Sequence, residues 1–398
     1  MLNLTDDVFL SDPSSVLTKV RAEGPLTKSR FPIIGPLYVT TTDAAAREVL
    51  KDTELFRRDP TPITGKSLAQ SVRWLPRSMV PLTKNMVTMD GDDHRRLRKL
   101  VDQAFMRTSI DMLRPEIERI ADHLLDQIDP TRPTDIVEPY SRELPFEVIC
   151  LLLGIERRHW PVLKKRIKPI SSVNSAAMAF WAFVRLGKTT KLIRQIIDEA
   201  RDTNAPGLIG ELARVEADGE RLSADECLAM VFTLFVAGHE TTVHLINNMI
   251  LGFIDRPDLK DIDDSDMFLV VEEFMRHASP VMSSKMHFVA RDVNWHGVDL
   301  KKGDRVAALL IAANRDPARF DRPDTLVPDR RPNAHLGFGH GPHVCLGMQL
   351  ARAEAQVAVN RLFNRYPTAT LAGPRDSVTF LKRAGIRGPK GLRLILRP

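Results

Sequence analysis

The stretch Phe338-Gly339-His340-Gly341-Pro342-His343-Val344-Cys345-Leu346-Gly347 decides how the rest of the chain is read. It sets one cysteine on a turn that holds three glycines, Gly339, Gly341 and Gly347, and a helical pattern over residues 346–366 follows. A sulfur that faces a metal ion needs such a stiff turn, because backbone N–H groups pointing at it tune its charge and basicity. The start of a helix adds a dipole that favours the deprotonated sulfur. The spacing therefore predicts a thiolate ligand at Cys345 rather than an ordinary buried cysteine.

Every fixed position of the stretch matches the ligand signature F-G-x-G-x-H-x-C-x-G, and by it the chain resembles the cytochrome P-450 family. The resemblance implies that Cys345 is the axial ligand of haem iron, in haem b (iron protoporphyrin IX). It implies that Phe338 packs beside the sulfur, and that Gly339 and Gly347 belong to the cofactor loop. A thiolate on haem iron pushes electron density toward O–O cleavage.

Composition agrees with a large globular unit. The 398 residues are 43% hydrophobic and 27% charged, which allows a sizeable core and excludes a disordered or fibrous chain. No linker-like run divides them, so one domain over residues 1–398 is expected. Three cysteines, Cys150, Cys227 and Cys345, are too few and too scattered for a disulfide framework and fit a reducing cytoplasm. The first residues carry neither a basic-then-apolar leader nor a twenty-residue apolar anchor, so no membrane anchor is expected. The net charge of +6 is spread along the chain without a nucleic-acid motif, which reads as solvated surface. A denser basic run, Arg95, Arg96, Arg98 and Lys99, would speed docking of an acidic redox protein.

The long helix opposite the loop is equally legible. Ser223 and Glu226 form a capping box that opens a helix over residues 223–256, about 50 Å long at 1.5 Å per residue. Residues 230–238 are apolar on every side, and Gly238 costs about 1 kcal/mol there relative to Ala, so it needs a reason. Ala237-Gly238-His239-Glu240-Thr241-Thr242 resembles the family's oxygen-activation motif. The resemblance implies that Ala237 and Gly238 let dioxygen and haem approach the helix, and that Glu240 and Thr241 deliver protons. A small-residue helix crossing is the structural alternative.

Further pieces follow in the family's order. His94 and Arg98 lie four apart on one helical face and are placed to grip one anion; the family resemblance makes that anion a haem propionate. Glu273 and Arg276 form an E-x-x-R pair, which the resemblance makes a buried structural pair closed by a later arginine or histidine. Counting back from Ala290, the position that usually holds a propionate arginine is His287. The resemblance then implies a haem held by His94, Arg98, His287 and His335, with one permanent charge fewer than usual and a retention that weakens with pH. Residues 60–88 hold four prolines and no sustained period, a candidate pocket cover with Ile63, Leu68, Val72, Trp74 and Leu75 as wall residues. Val281 and Met282 are candidate contacts beside the haem. Met178, Phe180, Trp181, Phe183 and Val184 are either lid or core. Arg73 and Arg77 are either carboxylate ligands or solvated surface.

The expected fold is mainly α with small β-sheets (α+β), haem lying between the central helix and the cysteine loop. The expected activity is that of a soluble bacterial monooxygenase. Electrons pass from NAD(P)H through ferredoxin reductase and ferredoxin, dioxygen is split, and one atom enters a small apolar substrate. The chain is expected to be monomeric. A peroxide-using hydroxylase and a haem-binding sensor are the rival readings. The intact Glu240 and Thr241 argue against the first, whereas the sensor would need the thiolate but not the acid–alcohol pair.

Overall fold

The central helix, Ala224–Asp255, begins where its capping box closes: the Ser223 N–H donates to Glu226 Oε2 at 2.9 Å and the Glu226 N–H to Ser223 Oγ at 3.2 Å. Two orphan donors of the helix end are thereby satisfied. The structure is a computed structural model that describes residues 1–31, 35–71, 77–107, 113–167, 176–203, 205–217, 219–383 and 385–397. Over 32 residues the central helix is long and apolar enough to cross a membrane, but most of its apolar stretch is buried in the protein's own core.

Other helices pack around it. Glu143–Leu153, Met267–His277 and Met348–Arg365 each lay an apolar face on it, and Ala176–Asp202 and Arg114–Asp126 extend the layer. Aromatic rings fix three of these helices together: Phe253 stacks on Phe274 with centroids 6.1 Å apart and on Phe363 at 5.3 Å. Gly252 permits this, since a Cβ there would meet the Phe274 ring at 2.4 Å. The burial of Met249, Ile250, Phe253, Phe274 and Leu362 makes this crossing the middle of the main core.

A five-stranded sheet flanks the helices. Its order is Leu26–Phe31, Gly35–Thr40, Arg305–Ala307, His287–Val289, Phe56–Arg57. Its first two strands pair antiparallel, with Leu26 opposite Thr40. The helix that follows, Asp43–Lys51, is capped by Thr42, its hydroxyl accepting from the Ala45 N–H. A second, smaller core forms under this sheet from Leu50, Phe56, Val289, Trp295 and Val306. The outer pair carries the functional consequence: Phe56 opposes Val289 and Arg57 opposes Phe288, so the antiparallel register sets Arg58 opposite His287.

Where the sequence had no period, residues 60–88, the described backbone forms the short turns Thr61–Thr64 and Leu68–Ser71 and the 3-10 segment Arg77–Thr83. Val72, Arg73, Trp74 and Leu75, and the side chains of Arg77, Met178, Phe180, Trp181, Phe183 and Val184, lie outside the described residues. Met282, expected beside the cofactor, is fully buried in the main core instead.

Candidate functional site

The cysteine loop is pinned at its base. The Cys345 N–H donates to the Phe338 carbonyl at 2.8 Å, and the Gly339 N–H to the Leu336 carbonyl at 2.8 Å. Gly339 and Gly341 sit at φ +80° and +70°, which only glycine adopts without strain, and a Cβ on Gly341 would meet the Leu50 carbonyl at 2.6 Å. Gly347 differs: its φ is −86°, and it stands as the N-cap of helix Met348–Arg365. Its contribution is its N–H, which bonds the Cys345 sulfur. Phe338 stacks under Arg352, whose guanidinium lies 4.9 Å from the ring centroid.

Of the three cysteines, Cys150 and Cys227 are buried and Cys345 is partly accessible. Burial of its sulfur nonetheless pushes the Cys345 thiol up, and the Gly347 N–H, Arg98 and Arg352 pull it only part of the way back. A cation held at the sulfur would favour the deprotonated form.

Behind the loop, Glu273 and Arg276 are fully buried and bidentate, with Nε to Oε2 at 2.8 Å and Nη2 to Oε1 at 2.7 Å. The closing residues are Arg330, at 3.1 Å from Oε2, and Asn333, at 3.2 Å. Arg276 spends its remaining donors on the carbonyls of Asn314, Pro323 and Thr325. Among the described residues every Arg276 donor and both Glu273 oxygens are used, and the one buried atom of this network without a partner is Asn333 Oδ1. The network braces the approach to the cysteine loop.

The expected propionate set is brought together only in part. His94 is buried, and its ring centroid lies 4.1 Å from that of His343, two residues before the cysteine. Burial, then His343 and Arg98, hold His94 down at about 4, so it is neutral. Arg98 donates to the Val344 carbonyl at 2.8 Å and pairs with Asp102 at 3.0 Å. His287 is buried in the sheet, and burial and the neighbouring Arg58 push it to about 3. It does not titrate near neutrality, contrary to expectation. His335 does not join these residues: its Nε2 lies 3.3 Å from Glu272, beside Arg352, and its Nδ1 accepts from the Gly337 N–H. His343 takes the place expected of His335. Its signal was already in the quoted stretch, two residues before the sulfur.

Do these residues fit a haem? The edge that would receive two carboxylates is rich in unspent donors. His94 Nε2 is buried without a hydrogen-bond partner, and neither Arg58 nor Lys285 has a carboxylate within 4 Å among the described residues. Lys285 is exposed by surface area yet desolvated; burial, then Arg383 and Arg58, lower it. The two descriptions agree if it lines an interior space, which is the reading we adopt. A sulfur that needs a cation and an edge that needs anions match this cofactor.

On the central helix the small pair divides its work. Ala237 is accessible, whereas Gly238 faces the neighbouring helix, where a Cβ would lie 2.9 Å from Ile149 Cδ1. The expectation that Gly238 opens the helix to dioxygen is corrected: it permits a helix crossing. Thr241 donates its hydroxyl to the Ala237 carbonyl at 2.7 Å. Glu240 is buried and turned toward Arg142 at 3.4 Å, Arg383 at 3.4 Å and His244 at 3.2 Å. Acid and alcohol are adjacent in sequence but point to different partners.

A cavity of about 560 Å³ opens on the outer side of residues 90–106, lined by His94, Arg98, Lys99, Met106, Pro342 and His343 among others; neither Cys345 nor Thr241 lines it. The basic run beside it is largely spoken for. Arg95 pairs with Asp92, and Arg96 with Glu226 and Glu220. Those acidic partners lie too far along the sequence for the neutralisation of Arg96 to have been visible.

Comparison with known proteins gives one consistent result. The family model described as Cytochrome P450 matches residues 36–262 and 267–393, the break falling in the acidic segment before helix Met267–His277. The chain is 33% identical over 406 residues to a vitamin D(3) 25-hydroxylase of Pseudonocardia autotrophica, spanning 100% of this chain and 96% of that protein. It is 33% identical to the cytochrome P450 monooxygenase PikC of Streptomyces venezuelae, over 96% of this chain and 91% of that one. Among solved structures, the bacillaene polyketide synthase cytochrome P450 PksS of Bacillus subtilis 168 superposes with a TM-score of 0.90 at 30% identity, over 100% of both chains.

Proposed function

The chain belongs to the cytochrome P450 family, whose bacterial monooxygenases and hydroxylases it resembles along its full length, and from that premise we propose a haem-thiolate hydroxylase of a small or medium apolar substrate fed by a ferredoxin-type partner. The observation that carries the reading is the loop: a single accessible cysteine, anchored through its own N–H, with the Gly347 N–H at its sulfur and two arginines nearby. Haem, when bound there, supplies dioxygen activation.

The chain's own residues supply the rest. Cys345 would hold the iron, Arg352 and Phe338 stiffen the loop, and His94, Arg98, His287 and His343 would form the edge that receives the carboxylates. Thr241 holds a hydroxyl on the accessible face of the central helix, where a proton can be passed on. Glu240 is the acid behind it. A carboxylate ion-paired with two arginines is a poor proton carrier, so delivery requires the contact with Arg142 or Arg383 to open.

NAD(P)H would feed electrons through ferredoxin reductase and ferredoxin, docking beside the cavity near Lys99 and the exposed Met106. We place the chain as a cytoplasmic monomer. The test is the spectrum of the dithionite-reduced protein with carbon monoxide. A strongly red-shifted Soret band supports thiolate-ligated haem, and a band typical of histidine ligation removes the main support. Replacing Thr241 with Ala then tests the relay: oxygen consumption continues while product formed per oxygen consumed falls several-fold.

A further inference from the structure

Position 287 holds a histidine, and a buried guanidinium stands directly opposite it. Arg58 directly follows strand Phe56–Arg57, which pairs antiparallel with His287–Val289 in a register that sets Arg58 opposite His287. Directly opposed residues point to one face of a sheet. Their contact is present: the Arg58 Nε–H donates to His287 Nε2 at 3.4 Å, which requires Nε2 to be the unprotonated nitrogen of a neutral imidazole. Arg58 Nη1 donates to the Val87 carbonyl at 3.0 Å, fixing the other arm.

A buried guanidinium with no carboxylate beside it is expensive. Arg58 is 8% exposed, and among the described residues no Asp or Glu lies within 4 Å of it. Asp90 is the nearest influence, but its Oδ2 is occupied by the backbone N–H groups of Arg58 and Asp59, and Oδ1 lies 3.7 Å from His343. Arg98, the other arginine here, is already neutralised by Asp102. Lys285 adds a second cation that has no ion pair among the described residues. Arg58 and Lys285 thus set two cations against the one carboxylate of Asp90, next to the partnerless Nε2 of His94, a surplus that an anion brought from outside would balance.

We propose that Arg58 supplies the fixed positive charge to the haem carboxylates in this chain, and that His287, opposite it on the neighbouring strand, is its positioning residue. This rests on the reading that haem is held by the Cys345 loop. It assigns Arg58, which stands in the sequence as one of two adjacent arginines before an aspartate, a cofactor-binding role.

The experiment uses purified holoprotein and reads the rate of haem transfer to excess haem-free globin, together with the ferric/ferrous potential. Arg58→Gln removes one charge-assisted carboxylate contact and is expected to speed haem loss on the order of 10- to 100-fold. It is also expected to move the potential in the negative direction, since a nearby cation favours the reduced, more negative haem. Arg58→Lys recovers part of the retention. The double variant Arg58→Gln/His287→Arg, which moves the charge across the strands, restores the loss rate to within a few-fold of the parent. Haem loss and potential unchanged in Arg58→Gln would overturn the proposal, as would a double variant no better than the single one. If Arg58→Gln does not fold, the double variant decides alone. A parent protein without a thiolate-type carbon monoxide spectrum would instead sink the functional reading, so the two failures are separable.

Discussion

Two clusters of buried charge lie on either side of the cysteine loop, built alike and finished differently. Around Glu273, every strong group is answered: two carboxylate oxygens take Arg276, Arg330, Asn333 and the Val327 N–H, and Arg276 ends on three carbonyls. Around Arg58, one guanidinium contact is a neutral histidine, another is a carbonyl, and His94 Nε2 has no partner. The first cluster is complete within the chain, so its product is rigidity. The second is complete only with a ligand, so its product is binding.

Breaking the closed cluster is expected to give the largest effect. Glu273→Ala leaves Arg276 and Arg330 buried without a counter-charge, at a cost of about 3–5 kcal/mol. Against a total stability of roughly 5–15 kcal/mol, that is a large fraction. The urea midpoint of purified protein should fall steeply, with little soluble holoprotein recovered. A midpoint within experimental scatter of the parent would mean the network is not a brace.

The contrast also explains what the sequence could and could not disclose. The capping box of Ser223 and Glu226 is legible from spacing, and Cys345, the Glu273–Arg276 pair and the Ala237–Thr242 motif are each compact enough in sequence for the family resemblance to carry them. The open cluster draws on residues 58, 90, 94, 287 and 343, and no spacing rule joins those. His335 does not join them, because its neighbours Glu272 and Arg352 come from two other helices. Gly238 was read as an opening because its neighbour Ile149 is on another helix. In each case the missing information was tertiary contact.

Acid titration should separate the buried histidines from Glu272 by pH window. His94 at about 4, His239 at about 4 and His287 at about 3 all lie below the ordinary histidine value, chiefly through burial. Their folded pKa values are depressed, so the unfolded chain binds more protons as pH falls below about 6.5. Stability is therefore fully present above that value and is lost as pH drops toward about 4, by roughly 1.4 kcal/mol per pH unit for each histidine. Glu272 behaves in another window. Despite a desolvation that raises it, contacts with His335 and Arg352 hold it at about 2, so its contribution is lost only between about 4.5 and 2. Urea midpoints at pH 7.5, 6.0 and 5.0 should fall successively, and bound haem should blunt the fall by placing carboxylates beside His94 and His287. Midpoints flat from pH 7.5 to 5.0 would place those histidines in a solvated setting.

The smallest effect belongs to Gly238, and its sign is the informative part. In the middle of a helix, alanine is favoured over glycine by about 1 kcal/mol. The added methyl would meet only the terminal Cδ1 of Ile149 at 2.9 Å, with Cγ1 at 3.4 Å, and that terminus can rotate. Ile149 is 2% exposed, so the rotation has little free volume, and overpacking a dense core commonly costs about 1–3 kcal/mol. The opposing terms leave Gly238→Ala between neutral and about 2 kcal/mol destabilising. Gly252→Ala is the control, because its methyl would strike the Phe274 ring at 2.4 Å, against a ring held by stacking on Phe253. Thermal midpoints should therefore rank parent at or above Gly238→Ala, and both above Gly252→Ala. If Gly238→Ala proves the more damaging of the two, the helix crossing at Ile149 is the less forgiving contact, and the glycine in the motif is held by packing more strictly than its flexible neighbour implies.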